Sequence, residues 1–236
     1  MMGRSNVYLV ALAACWLASS NLRHGYISRP AYTLGALAGY IYLITGRAVE
    51  ADRIDAAAIA FQKQLPDPLY DPRGEMMRYG ILSPWRVPRR HALAPLDRVA
   101  EALRELGDPE FAYYARFLKL VYCGLAGDSI AETVQGLTAL DAEVHRGGYL
   151  YPEPEISKRP FQQLLATDLS RLEAELAASE AELEPIRGSA ETHMRSLWLM
   201  VLCVYERFDL ALAQSEAMGE RLFTMTPYVQ VAHHTL

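Results

Sequence analysis

Residues that stop or start a helix recur along this chain at near-even intervals. They fall at Gly25, Gly46, the 66–74 stretch, Pro88, Gly107-Asp108, Gly127-Asp128, the 147–154 stretch, Asp168 to Ser170, the 185–188 stretch, Phe208-Asp209 and Pro227. Neighbouring breaks lie about 20 residues apart, which leaves room for helices of about five turns. Every second break is short: residues 46, 88, 127, 168 and 209. Those short breaks repeat at about 40 residues, the spacing expected of stacked antiparallel helix pairs. The chain is therefore expected to be all-α, a right-handed superhelical solenoid of antiparallel helix pairs forming one repeat domain over residues 1–236.

The segments between breaks carry helical periodicity. Trp198, Val201, Leu202 and Tyr205 sit at i, i+3, i+4 and i+7. Leu93, Leu96, Ala100 and Leu103 do nearly the same, and Ala115, Leu118, Tyr122 and Leu125 form a third stripe. Long β-branched alternation and Asn-Gly hairpin signals are missing. The breaks have cap chemistry. Gly107 suits the left-handed position after a helix, and Asp108 suits the N-cap of the next, with Pro109 at its first position and Glu110 beside it. Gly127-Asp128 is expected to repeat the device, and Ser170-Arg171-Leu172-Glu173 has the spacing of a capping box. The charged helix after it, with its Leu172, Leu176, Leu183 stripe, is expected on the outside or in a long connection.

Composition narrows the function classes. Hydrophobic residues make up 51% and charged residues 22%, which fits a folded protein rather than a disordered one. A formal net charge of −5 supplies no electrostatic attraction for nucleic acid. Cys15, Cys123 and Cys203 are odd in number and far apart, so they are expected as small apolar residues in helices of a cytoplasmic protein. The apolar run from Val7 to Ala18 is shorter than the roughly 20 residues that span a bilayer. It is expected to be a buried helix, a signal peptide being the alternative, and no membrane partner is expected. The chain is expected to start directly on this helix and to stop within another. Uncapped end helices of that kind predict self-association or a covalent neighbour in a larger protein.

One segment matches a known repeat pattern. Gly39-x2-Tyr42-x3-Gly46-x4-Ala51 has tetratricopeptide spacing, in which small residues let helices approach, the tyrosine fills the groove and Gly46 makes the turn. Tyr122 before Gly127, and Tyr205 before Phe208-Asp209, look like degenerate copies. Further, Trp85-x2-Pro88, Ala92-Leu93 and Gly107-Asp108-Pro109-Glu110-Phe111-Ala112-x2-Ala115, with Ser196-Leu197-Trp198 through Ala211-Leu212, resemble the helical-repeat region of large bacterial signalling proteins. In that family the region lies between a serine/threonine-kinase-like domain with a STAND-type (AAA-like) ATPase and a GAF sensor with a histidine kinase or cyclase. The resemblance runs from about Leu12 to Leu236. It implies a protein-interaction and signal-relay role beside flanking signalling domains, by analogy of architecture. The family's catalytic parts do not carry over, because the chain has no GxxxxGK[ST], HRD or DFG segment.

No enzyme activity and no cofactor is expected. His24, His91, His145 and His193 are isolated, and His233-His234 are helix neighbours that point about 100° apart, so no metal site is expected. Arg86, Arg89, Arg90 and His91 form a dense basic patch, read as a solvated turn rather than an anion site. Glu173, Glu175, Glu180, Glu182 and Glu184 read as a solvated acidic face. Tyr122 and Tyr205 are expected as groove fillers, and Tyr113, Arg116 and Lys119 as exposed partner-binding residues, tyrosine and arginine being favoured at binding hot spots. The alternative functions are a small-molecule-sensing regulatory domain and a truncated remnant of the larger protein.

Overall fold

A computed structural model describes residues 7–25, 29–148, 153–166, 168–183 and 189–218. Every regular element among them is helical, as the spacing of breakers requires. The chain divides into two compact units, one over residues 5–119 and one from residue 120 onward. Among the described residues no helix is long and apolar enough to cross a membrane. Pro227 and His233-His234 lie outside the described residues, as do the 185–188 break, the side chains of Trp85, Leu183 and His193, and those of Glu182 and Glu184.

The first unit begins with α1 (Val7–His24), α2 (Pro30–Thr45) and α3 (Ala48–Gln64). Among the described side chains of α1, Ala14, Ala18 and Asn21 are buried, while Leu12, Cys15, Trp16 and Leu17 are exposed. Over residues 12–24 it is thus not the buried helix that its apolar sequence suggested. Helices α2 and α3 form a hairpin closed at Gly46, whose φ of 66° lets its N–H reach the Tyr42 carbonyl at 2.9 Å. Ala38, Tyr42, Ala51 and Leu82 make a core cluster, with Ile41 and Ile54 packed on it. The motif residues Tyr42 and Ala51 are thus buried as expected. Gly39, however, faces Met77 and Ile81, so it admits a later helix and not α3.

Burial, helped by nearby Asp52, pushes the Tyr42 hydroxyl up to about 12. A folded pKa above the unfolded value near 10 means that the associated stability is intact below pH 10 and fades between pH 10 and 12. Urea unfolding at successive pH values is expected to show this alkaline loss in the wild type. It is expected to be smaller in Tyr42→Phe.

A continuous helical stretch follows: α4 (Asp71–Met77), a π-helical turn (Arg78–Leu82) and α5 (Ser83–Arg86). The π turn has a local cause. Pro84 has no N–H, and in an α-helix its ring would strike the Gly80 carbonyl. The backbone widens, and the Ser83 N–H bonds the Arg78 carbonyl five residues back. Helix α6 (Arg90–Glu105) then buries Ala92, Leu96, Val99, Ala100 and Leu103. At its end Gly107 takes φ 70°, and Asp108 N–H reaches the Leu103 carbonyl at 2.9 Å. Asp108 then caps α7 (Pro109–Leu125) by accepting from Phe111 N–H at 3.4 Å.

The second unit contains the last turns of α7, then α8 (Ile130–Arg146), α9 (Glu153–Ala166), a 3-10 turn (Leu169–Arg171), α10 (Leu172–Leu183), α11 (Ser189–Val204) and α12 (Phe208–Met218). Helix α8 packs on α9, and α11 packs on both α9 and α12. Gly127 is left-handed as expected, but Ser129 and not Asp128 caps α8, accepting from Glu132 N–H at 3.3 Å. The expected Ser170 capping box gives way to Asp168, which accepts from both the N–H and the hydroxyl of Ser170. Helix α10 is also not peripheral all round, since Leu172, Leu176 and Ser179 are buried on one face. Trp198, Val201 and Leu202 lie in the core, as their stripe predicts.

Candidate functional site

Three helix starts in the first unit bring arginines and aromatic rings together. The first is that of α2. Pro30 sits at its first position, and the preceding Arg29 has φ 61° and ψ 40°. The left-handed region is costly for a residue with a Cβ, and more so before proline. The second start is that of α4. Asp67 accepts from Leu69 and Tyr70 N–H while its own N–H donates to Asp71 Oδ2 at 2.9 Å. This turn sets Tyr70 one turn before Arg73. Burial lifts the Asp71 carboxyl above the usual range, against the pull of the Asp67 N–H. The third start is that of α7, with Asp108 and Phe111.

Two glycines let these starts converge. A Cβ on Gly74 would lie 3.6 Å from the Tyr32 Cα, and one on Gly35 would lie 3.9 Å from Gly74. The backbones of α2 and α4 therefore cross at van der Waals distance. Tyr32 and Tyr70 end with ring centroids 5.8 Å apart, and Tyr32 meets Phe111 edge-on at 6.4 Å. The Arg29 guanidinium lies 3.6 Å from the Tyr70 centroid. Arg73 lies 5.2 Å from the same ring and 4.5 Å from Phe111. Both distances are within the range of cation–π attraction.

The charges on this rim are not equivalent. Arg73 Nε donates to Asp108 Oδ2 at 2.5 Å, so its charge is compensated. Arg29 is exposed and has no carboxylate partner among the described residues. Burial raises the Tyr32 hydroxyl above its ordinary range, with Arg73 opposing and Asp108 adding to the shift. Tyr32 therefore stays a neutral donor beside two guanidiniums. The arrangement is suited to holding a carboxylate or a similar planar anion, which a guanidinium grips with paired N–H bonds.

The residues expected to bind a partner lie elsewhere. Tyr113 is buried, stacked on Phe117 at 6.1 Å and edge-on to Tyr114 at 5.1 Å, so it is not the exposed contact expected. Arg116 is half-buried, and Lys119 is tied to Asp97 at 2.5 Å. Tyr122 is fully buried, as a groove filler should be. Tyr205 is half-buried, its hydroxyl donating to the Gln163 carbonyl at 2.9 Å.

The basic and acidic runs also carry ion pairs. Arg86 is exposed at the turn together with Arg90 and His91, and it is paired as well. It donates to Asp55 Oδ2 at 3.0 Å and also pairs with Asp52, while Arg78 Nε donates to Asp55 Oδ1 at 2.9 Å. On the acidic helix, Glu173 pairs with Arg207, Glu175 with Arg171, and Glu180 with both Arg195 and Gln214. Glu173 and Glu180 nevertheless keep 67% and 42% of their side chains in solvent, so the described part of that face is solvated while also pairing with α11 and the turns beside it. Among the described residues no three His, Cys, Asp or Glu side chains gather where a metal ion could sit. No family model, curated protein or solved structure matches the chain.

Proposed function

We propose that this chain is a non-catalytic docking module that takes an acidic segment of a protein partner on the rim formed by Arg29, Tyr32, Tyr70 and Arg73. The observation that carries the reading is Arg29. Its backbone is held in a conformation that costs about 1–3 kcal/mol, and its guanidinium is spread over an aromatic ring with no internal carboxylate among the described residues. Strain of this kind marks a residue kept for a contact that the fold itself does not make. Arginine and tyrosine are also the residues that dominate binding hot spots.

In the fuller form of this proposal, the helix pairs α2/α3, α8/α9 and α11/α12 belong to a right-handed tetratricopeptide-like array. The array would serve as a relay between domains of a bacterial kinase–ATPase signalling protein. In such an array each pair would touch only its neighbours, so a ligand at one site would alter the stacking next to it.

The test is titration calorimetry of the full chain against an array of peptides of graded acidic content, each paired with a version carrying Gln and Asn for Glu and Asp. Acidic peptides are expected to bind and their neutral versions to fail. Arg29→Ala and Tyr70→Ala are each expected to weaken binding by roughly tenfold, the effect of a central hot-spot residue. Equal binding of acidic and neutral peptides, or full binding by Arg29→Ala, would overturn the reading.

A further inference from the structure

Helix α1 presents a face that the fold leaves uncovered. Leu12 is 64% exposed and Trp16 68%, and Leu17 beside them is also exposed. The face has a definite layout. Leu12, Trp16 and Arg23 are spaced i, i+4 and i+11, so they share one side of the helix. Ala13, Leu17 and His24 form the adjacent row at the same spacing, and all six residues are exposed. The buried stripe Ala14, Ala18, Asn21 lies on the opposite side. The outer face is therefore apolar along its middle and basic at its C-terminal end.

Charge indicates what covers it. Residues 1–49 contain four arginines and not one aspartate or glutamate, and the first acidic residue is Glu50. The net charge of −5 is thus carried entirely by the rest of the chain. A second copy of α1 would bring the same basic end and no carboxylate to meet Arg23. A bilayer surface does not have that problem. Its phosphates neutralise the basic end, and its acyl boundary accepts tryptophan and leucine side chains from a helix lying in the plane.

We propose that α1 docks this protein on an anionic lipid surface, with Trp16, Leu12 and Leu17 entering the headgroup–acyl boundary and Arg23 with His24 on lipid phosphate. The helix lies on the membrane and does not cross it. This departs from the expectation of no membrane partner, which rested on the length of the apolar run alone. It is independent of the rim at Arg29, which faces Tyr70 and not α1's outer row.

The experiment is co-sedimentation of the full chain with vesicles of phosphatidylcholine alone and of phosphatidylcholine with phosphatidylglycerol, at low and high salt. The chain is expected in the pellet only with phosphatidylglycerol, and to leave it as salt screens the phosphates. Tryptophan emission is expected to shift to the blue on binding. Trp16→Ser, checked for unchanged helical circular dichroism, is expected to lower vesicle affinity roughly tenfold and to lose the shift. Arg23→Gln is expected to weaken the salt-sensitive part. No sedimentation with anionic vesicles at low salt would overturn the proposal, as would full binding by Trp16→Ser. So would a wild-type dimer that Trp16→Ser converts to monomer in analytical ultracentrifugation, which would assign the face to a second copy.

Discussion

Replacing Asp55 by alanine is expected to destabilise the first unit by about 3–5 kcal/mol, the cost of stranding the largely buried Arg78 guanidinium without its counter-ion. The Asp55 side chain is 1% exposed, and each of its oxygens accepts from a different arginine. Arg78 is itself only 13% exposed, so water can take over little of the lost role. Arg86 keeps Asp52, but Arg78 keeps no carboxylate in the group. In thermal unfolding the loss corresponds to a fall on the order of 10 °C. Asp55→Asn is expected to be nearly as damaging, because its amide NH₂ would face a guanidinium. Asp52→Ala is the control: that side chain is half exposed, and its removal is expected to cost less than about 1 kcal/mol. An Asp55→Ala protein as stable as Asp52→Ala would mean that the three charges do not meet.

The same cluster shows where the sequence ceases to be legible. Arg78 and Arg86 are eight residues apart, which in an α-helix places them about 80° from each other. The π turn adds one residue and brings the offset to about 20°, so both side chains aim at Asp55. Pro84 is the visible cause, but proline more often ends a helix than widens it, and the pattern alone does not choose. Gly107 and Gly127 were legible because a glycine after an apolar stripe has few other uses. The stripe positions of α6 and α11 followed from periodicity, and Tyr42 and Ala51 from motif spacing. Tyr113 was misplaced because α7 is covered on more than one side, burying Phe111, Ala112, Tyr113, Ala115, Phe117 and Leu118 together. A single-face reading has no room for that. Lys119 seemed free because its partner Asp97 belongs to another helix. The Arg29 rim depends on Gly35 and Gly74 crossing, two glycines that no local pattern connects. An arginine before a helix-starting proline, and the Tyr70–Arg73 pair one turn apart, were the available signals.

Close packing in the second unit leads to the other large effect. Phe161 is fully buried, and a Cβ built on Gly124 would lie 2.6 and 2.9 Å from its ring and 3.2 Å from the Thr133 methyl. Phe161→Ala is expected to cost about 3–5 kcal/mol through lost burial and the cavity left behind. Gly124→Ala is expected to cost about 1–3 kcal/mol. This outweighs the roughly 1 kcal/mol that alanine gains over glycine in a helix, because a buried ring cannot turn aside. Gly136 makes the comparison sharp. Its added Cβ would meet only the end of the Leu120 side chain, which is half-buried and has other rotamers, so Gly136→Ala is expected within about 1 kcal/mol of wild type. The double variant Gly124→Ala/Phe161→Ala decides the cause. With the ring gone the new methyl has space, so the two costs should fall short of adding by more than about 1 kcal/mol in urea unfolding. Additive losses would mean that Gly124 is needed for its backbone and not for the room it gives Phe161.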